Sequence, residues 1–125
     1  MKLPLQIPII IERVKVEGPL ASREVDMILD TGARFTSFNW DTLKDIGYDP
    51  AISSDRTPII TANGVIDVPL IIVKRITWGD IALDDVHVIS HNIPELAGID
   101  GLLGLSFLEN FDRFLSFKNG FLEIK

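Results

Sequence analysis

The sequence predicts one mostly β domain, spanning residues 1–125, with one or two short helices. Three observations carry that expectation. Runs rich in β-branched residues alternate with period two along most of the chain, Gly, Pro and Asn-Gly pairs punctuate them at short intervals, and helical spacing is confined to two brief stretches. With 125 residues, 46% of them apolar and 24% charged, the chain is long enough to bury a core and is not of disordered composition.

The elements follow in order. The opening MKLPLQIPIIIERV is broken by Pro4, Gln6 and Pro8 and has no small-x-small cleavage site, so it does not read as a leader peptide. Ile7, Ile9 and Ile11 alternate there as a strand would. Residues 9–16 form a β-branched run, Gly18-Pro19 breaks it, and residues 24–29 resume with Val25, Met27 and Leu29 on one face. NWDTLKDIGYDP reads as a short helix in which Asn39 supplies the cap, Trp40, Leu43 and Ile46 share a face, and Gly47 ends it. Residues 58–90 return to strands, with a hairpin turning on Asn63-Gly64, both suited to positive φ, and a second turn at Gly79-Asp80. GLLGLSFLENF is Gly-punctuated and then helix-like, and the end closes in a hairpin on Asn119-Gly120.

Composition also removes function classes. The net charge is −6 and the 12 basic residues are scattered, only Lys74-Arg75 being adjacent, so no stripe follows a phosphate backbone and nucleic acid is not an expected partner. The absence of cysteine excludes disulfides, thiol catalysis and Cys-based zinc sites. No run approaches the roughly 18 apolar residues of a membrane span, so no membrane partner is expected and a soluble, cytoplasmic protein is the default. His87 and His91 stand four apart on a strand, about 13 Å and too far to share an ion, and read as surface or structural histidines. Asp84, Asp85 and Glu95 read as solvated turn charges, and neither a phosphate-binding Gly-rich loop nor a nucleophile elbow is present.

ILDTGARFTSF, residues 28–38, is the stretch that points to chemistry. An Asp-Thr-Gly alone is more often a turn, since Asp accepts backbone hydrogen bonds and Gly supplies positive φ. Here an apolar strand leads straight into it, an Asn-Gly hairpin long enough to fold over a cleft follows, and Leu102-Leu103-Gly104 then precedes a helix-like stretch. In this order the set resembles the retropepsin-like aspartic proteases, the family of retroviral proteases and their cellular relatives, over nearly the whole chain.

The resemblance implies an all-β, closed, barrel-like half-domain with short helices that dimerises across its active site. It implies an endopeptidase needing no metal or organic cofactor, acting on a peptide or protein substrate. Two carboxylates about 3 Å apart cannot both ionise, so they share a proton: one activates a water and the other protonates the scissile carbonyl. This chain has one Asp-Thr-Gly, so a homodimer would supply Asp30 twice. By the same resemblance Thr31 would hydrogen-bond across the two-fold axis, Gly32 would let amides approach the carboxylates, and Ala33 would leave room for substrate. Leu102 and Leu103 would pack under the loop and Gly104 would permit close backbone contact. Ala62, Asn63 and Gly64, at the hairpin tip, would close over the peptide.

Arg34 departs from the family pattern, which usually has Asp, Ser, Thr or another neutral polar residue there. A salt bridge to Glu109 or Asp112, a pocket for acidic substrate side chains, and obstruction of the usual peptide pose are all open to it. The hairpin is also poorer in glycine than the mobile flaps of viral members, a feature consistent with stiffer gating. A catalytically silent dimeric peptide-binding or scaffold domain of the same fold is the alternative. An intact Asp30 and Gly32 disfavour it, because a silent copy need not keep a like-charge pair.

Overall fold

In the computed structural model, which describes residues 1–5, 8–93 and 98–125, the alternating segments become ten strands with two short α-helices among them. In chain order they are β1 (Lys2–Pro4), β2 (Ile10–Glu17), β3 (Ser22–Leu29), β4 (Thr36–Phe38), α1 (Trp40–Asp45), β5 (Arg56–Thr61), β6 (Gly64–Trp78), β7 (Ile81–Ser90), β8 (Ile99–Leu103), α2 (Leu105–Leu108), β9 (Arg113–Ser116) and β10 (Phe121–Ile124). The mostly β expectation holds. Ile7 and Glu95, read above as part of a strand and as a turn charge, lie outside the described residues.

Seven strands lie in the order β2-β3-β8-β4-β7-β6-β5, and β2 also pairs with β6 through Lys15↔Thr77, Val16↔Ile76 and Glu17↔Arg75. That extra pairing bends the sheet into a partial ring, the closed shape the motif order implied. A second, three-stranded sheet runs β1-β10-β9 and fastens Met1 to the other end of the chain, with the Met1 amine donating to the Ile124 carbonyl at 2.8 Å.

The ring is filled from its inner face. Val14, Val16, Met27, Phe38, Val73 and Ile76 are each fully buried, and Leu43 and Ile46 of the α1 segment close over them with Phe107 and Leu108 of α2. Burying a side chain of this size contributes about 1.5–3 kcal/mol. In β2, Ile11 and Val14 both point inward although three residues apart, because a bulge re-phases the strand between them. Arg13 takes positive φ (57°) at the bulge, and its N–H donates to Asp26 Oδ1 at 3.1 Å.

Three local expectations need correction. Asn39 precedes α1 but makes no side-chain cap; its Oδ1 accepts from Ile93 N at 3.2 Å, while the Trp40 N–H is taken by Asn92 Oδ1 at 2.8 Å. A residue distant in sequence thus satisfies the helix start. The β5–β6 hairpin turns on Ala62-Asn63, one position earlier than expected. Thr61 pairs with Gly64, and of the Asn63-Gly64 pair only Gly64 has positive φ (115°). Thr61 Oγ1 accepts from Asn63 N at 3.2 Å and donates to Gly64 O at 3.0 Å, which favours that register over an Asn-Gly turn. Asp84 and Asp85 lie inside β7 and not in a turn. Asp84 accepts from Arg75 Nε at 2.6 Å, and this hydrogen bond holds its carboxyl below the usual range.

Candidate active site

β3 and β8 run parallel and end together at Leu29 and Leu103, with β4 antiparallel to β8 on its other side. Residues 30–35 must therefore carry the chain over the end of β8 to reach β4. That crossing places Asp30 at the mouth of the ring. Its N–H donates to the Leu103 carbonyl at 3.0 Å, continuing the β3–β8 ladder by one rung.

The crossing works because position 104 has no side chain. A Cβ there would lie 2.7 Å from both the Ala33 and the Phe35 carbonyl oxygens, well inside contact distance. Its φ of −109° is ordinary extended backbone, so space and not conformational freedom requires the glycine. Four hydrogen bonds then fasten the loop to this junction: Leu105 N to Ala33 O at 2.8 Å, Ser106 N to Arg34 O at 3.0 Å, Gly104 N to Thr36 Oγ1 at 3.1 Å and Thr36 N to Ser106 Oγ at 2.8 Å. The apolar-apolar-Gly motif thus acts as a seat for the Asp-Thr-Gly loop. Leu103 is the fully buried member and Leu102 faces the cleft.

Asp30 is both a turn residue and a candidate for chemistry, because it has two oxygens. Oδ1 accepts from Gly32 N at 2.9 Å, an Asx turn that fixes the carboxylate's direction. Among the described residues no donor engages Oδ2. Thr31 and Gly32 are exposed, and the Thr31 hydroxyl has no hydrogen-bond partner among those residues.

Asp30 opens onto a cleft of about 510 Å³. One side consists of the loop residues Gly32, Ala33, Arg34 and Phe35 with Ser37, Ile89, His91 and Leu102, and the other of Pro58, Ile59, Ile60 and Thr61 from β5. Ser37 pairs across the sheet with both Leu102 and Ile89, which gives the cleft a continuous floor. Of the expected site residues, Asp30, Gly32, Ala33, Arg34 and Leu102 come together here. Thr31 sits beside them without lining the cleft. Ala62, Asn63 and Gly64 lie at the hairpin tip outside its lining, and the β5 arm supplies that side instead.

His91 is half-buried and lines the cleft, a place that its reading as a surface or structural histidine did not specify. It follows Ile89 by two, so strand alternation gives both the same face, but nothing in the sequence marks that face as the cleft. His87 is exposed. Arg34 forms no salt bridge to Glu109 or Asp112: among the described residues no carboxylate lies within 4.0 Å of it, and its guanidinium carbon lies 5.3 Å from the Phe35 ring centroid instead. No group of three or more His, Cys, Asp or Glu among the described residues is placed to hold a metal ion.

Residues 13–107 match the aspartyl protease family, and the chain belongs to it. Its fold is retropepsin-like: the crystal structure of a retropepsin-like aspartic protease from Rickettsia conorii superposes with a TM-score of 0.73 at 18% identity, over 98% of this chain and 86% of that one. No curated protein sequence matches the chain. Family and fold together support a protease-type, hydrolytic function.

Proposed function

We propose that the chain is a homodimeric aspartic endopeptidase in which Asp30 of each subunit forms a shared dyad. The observation that carries this reading is that, among the described residues, Asp30 is the single carboxylate lining the cleft. A water-activating pair requires two, and the exposed Thr31-Gly32 beside Asp30 leaves that edge free for a second copy. The unpartnered Thr31 hydroxyl is then a donor for the opposite loop.

In such a dimer the two carboxylates hold one proton between them. The charged member removes a proton from a water as its oxygen attacks the scissile carbonyl, and the protonated member donates to the carbonyl oxygen. Collapse of the tetrahedral intermediate breaks the C–N bond, and the amine leaves with a proton. Ala33 and Gly32 keep the cleft open at that point. The β5–β6 hairpin, with Ala62, Asn63 and Gly64 at its tip, closes over the peptide.

A peptide-library digest by the wild-type chain and by Asp30→Asn tests the chemistry. Cleavage by the wild type and none by the variant is expected, and equal cleavage by both would remove Asp30 from the mechanism. Specific activity followed through dilution, with sedimentation to locate the monomer, tests the shared site: activity should fall with the dimer. An inert wild-type protein that still binds peptides as a dimer would instead establish the silent binding domain.

A further inference from the structure

We infer that Arg34 makes the cleft selective for peptides carrying an acidic side chain near the bond to be cut. The inference rests on the endopeptidase reading for its use but on separate observations for its content. Among the described residues, the charged or chargeable side chains lining the cleft apart from Asp30 are basic, Arg34 and His91, in a chain whose net charge is −6.

Arg34 is placed rather than loose. Its own carbonyl and that of Ala33 are both held by α2 amides, at 3.0 and 2.8 Å, so its backbone is fixed four residues beyond Asp30. The guanidinium lies 5.3 Å from the Phe35 ring centroid, and Phe35 is itself a cleft residue. A cation–π contact of this kind uses no N–H donor, and no hydrogen bond from the Arg34 side chain is formed among the described residues, so its donors are available to grip a carboxylate. Arg23 and Arg75 are committed to Asp45 and Asp84, each at 2.6 Å; Arg13, Arg56 and Arg113 have no carboxylate partner among the described residues, but none of them lines the cleft. Arg34 has no carboxylate within 4.0 Å among the described residues. A guanidinium whose backbone is fixed beside a peptide-sized cleft, with no carboxylate partner among the described residues, is matched by an aspartate or glutamate of the substrate.

The remaining lining is mostly apolar or small, so other peptide positions favour apolar residues. The preferred substrate class is an apolar segment interrupted by an acidic residue. In the two-fold dimer each subunit contributes one Arg34, so the preference applies on both sides of the bond.

The test uses two synthetic peptide mixtures randomised over Ala, Leu, Phe and Val, one including Glu and the other Gln in its place. Cleavage is measured with the wild type, and binding with Asp30→Asn. The Glu mixture should be favoured about fivefold in both assays, the size set by a charge-assisted contact at a partly exposed site, and the advantage should shrink as salt is raised. Arg34→Lys should keep a reduced preference, since it retains the charge but not the paired donors, Arg34→Gln should erase it, and Arg34→Glu should turn it toward a Lys-containing mixture. Absence of a Glu preference in binding overturns the inference whether or not the wild type cleaves. A preference that survives Arg34→Gln but is lost in His91→Asn also overturns it, by placing the anion on the histidine. A binding preference with no cleavage by the wild type keeps Arg34's role and rejects the endopeptidase reading alone.

Discussion

Replacing Gly104 by alanine is the most direct perturbation of the seat beneath Asp30. The new methyl carbon would lie 2.7 Å from two backbone carbonyl oxygens, Ala33 O and Phe35 O, roughly 0.7 Å inside the 3.4 Å at which ordinary contact begins. Both oxygens belong to the loop, so neither can yield as a flexible side chain would. The loop must lift away from α2. Lifting strains the four bonds that hold it there, those of Leu105 N, Ser106 N, Gly104 N and Thr36 N. Losing two or three of them at about 1 kcal/mol net each gives a destabilisation of about 2–3 kcal/mol, the range also found for overpacked cores. For a chain of this size that lowers Tm by about 6–15 °C. Glycine's wider freedom in the unfolded chain offsets this by less than about 1 kcal/mol. Thermal melts by circular dichroism read the stability, and a peptide assay below the melting range reads the site. Activity should fall further than stability explains, because Asp30 is carried on the lifted loop. An Ala variant that melts within about 2 °C of the parent and keeps its activity would show that the loop does not depend on this seat.

Three other substitutions separate chemistry from architecture. Asp30→Asn keeps an oxygen for the Gly32 amide and removes like-charge repulsion in the dimer, so it should melt no lower than the parent; a marked drop would mean that the carboxylate's main task is the turn. Thr31→Ala should leave the monomer's melt unchanged but weaken dimerisation, by about 1 kcal/mol for each of two symmetric hydrogen bonds, read as a shift in the sedimentation midpoint; an unaltered dimer would remove Thr31 from the interface. Ser90 is 5% exposed and its hydroxyl has no partner among the described residues, so Ser90→Ala should raise stability by about 1 kcal/mol; a lower melting temperature would reveal a hydrogen bond absent from this structure.

Much of this architecture was legible from local chemistry. β-Branched alternation located β2, β3, β6 and β7, and Gly79-Asp80 turned where expected, between Trp78 and Ile81. Asp30, the Leu102-Leu103-Gly104 motif and their order along the chain were enough to point to the family. What escaped depends on partners distant in sequence. Asn39 has the residue type and position of a cap, yet the Trp40 amide goes to Asn92, and no local signal ranks one asparagine over the other. The hairpin register shifted by one because the Thr61 hydroxyl stabilises a turn on Ala62-Asn63. His91 was missed because which face of β7 borders the cleft is decided by the β4–β7 pairing, not by β7 itself.

The long strand β6 has a consequence for the timescales on which its parts open. Residues 64–67 are exposed and pair with β5, whereas Arg75, Ile76 and Thr77 of the same strand pair on both edges, with β7 and β2, and Val73, Ile76 and Trp78 are buried in the core. The change falls at Val68-Pro69, where the chain becomes buried and where proline has no N–H to give the ladder. Protection against amide hydrogen exchange should therefore step within one continuous strand, low before Pro69 and near the global limit after Leu70. The hairpin can then open and close many times over without loosening the ring that carries Asp30.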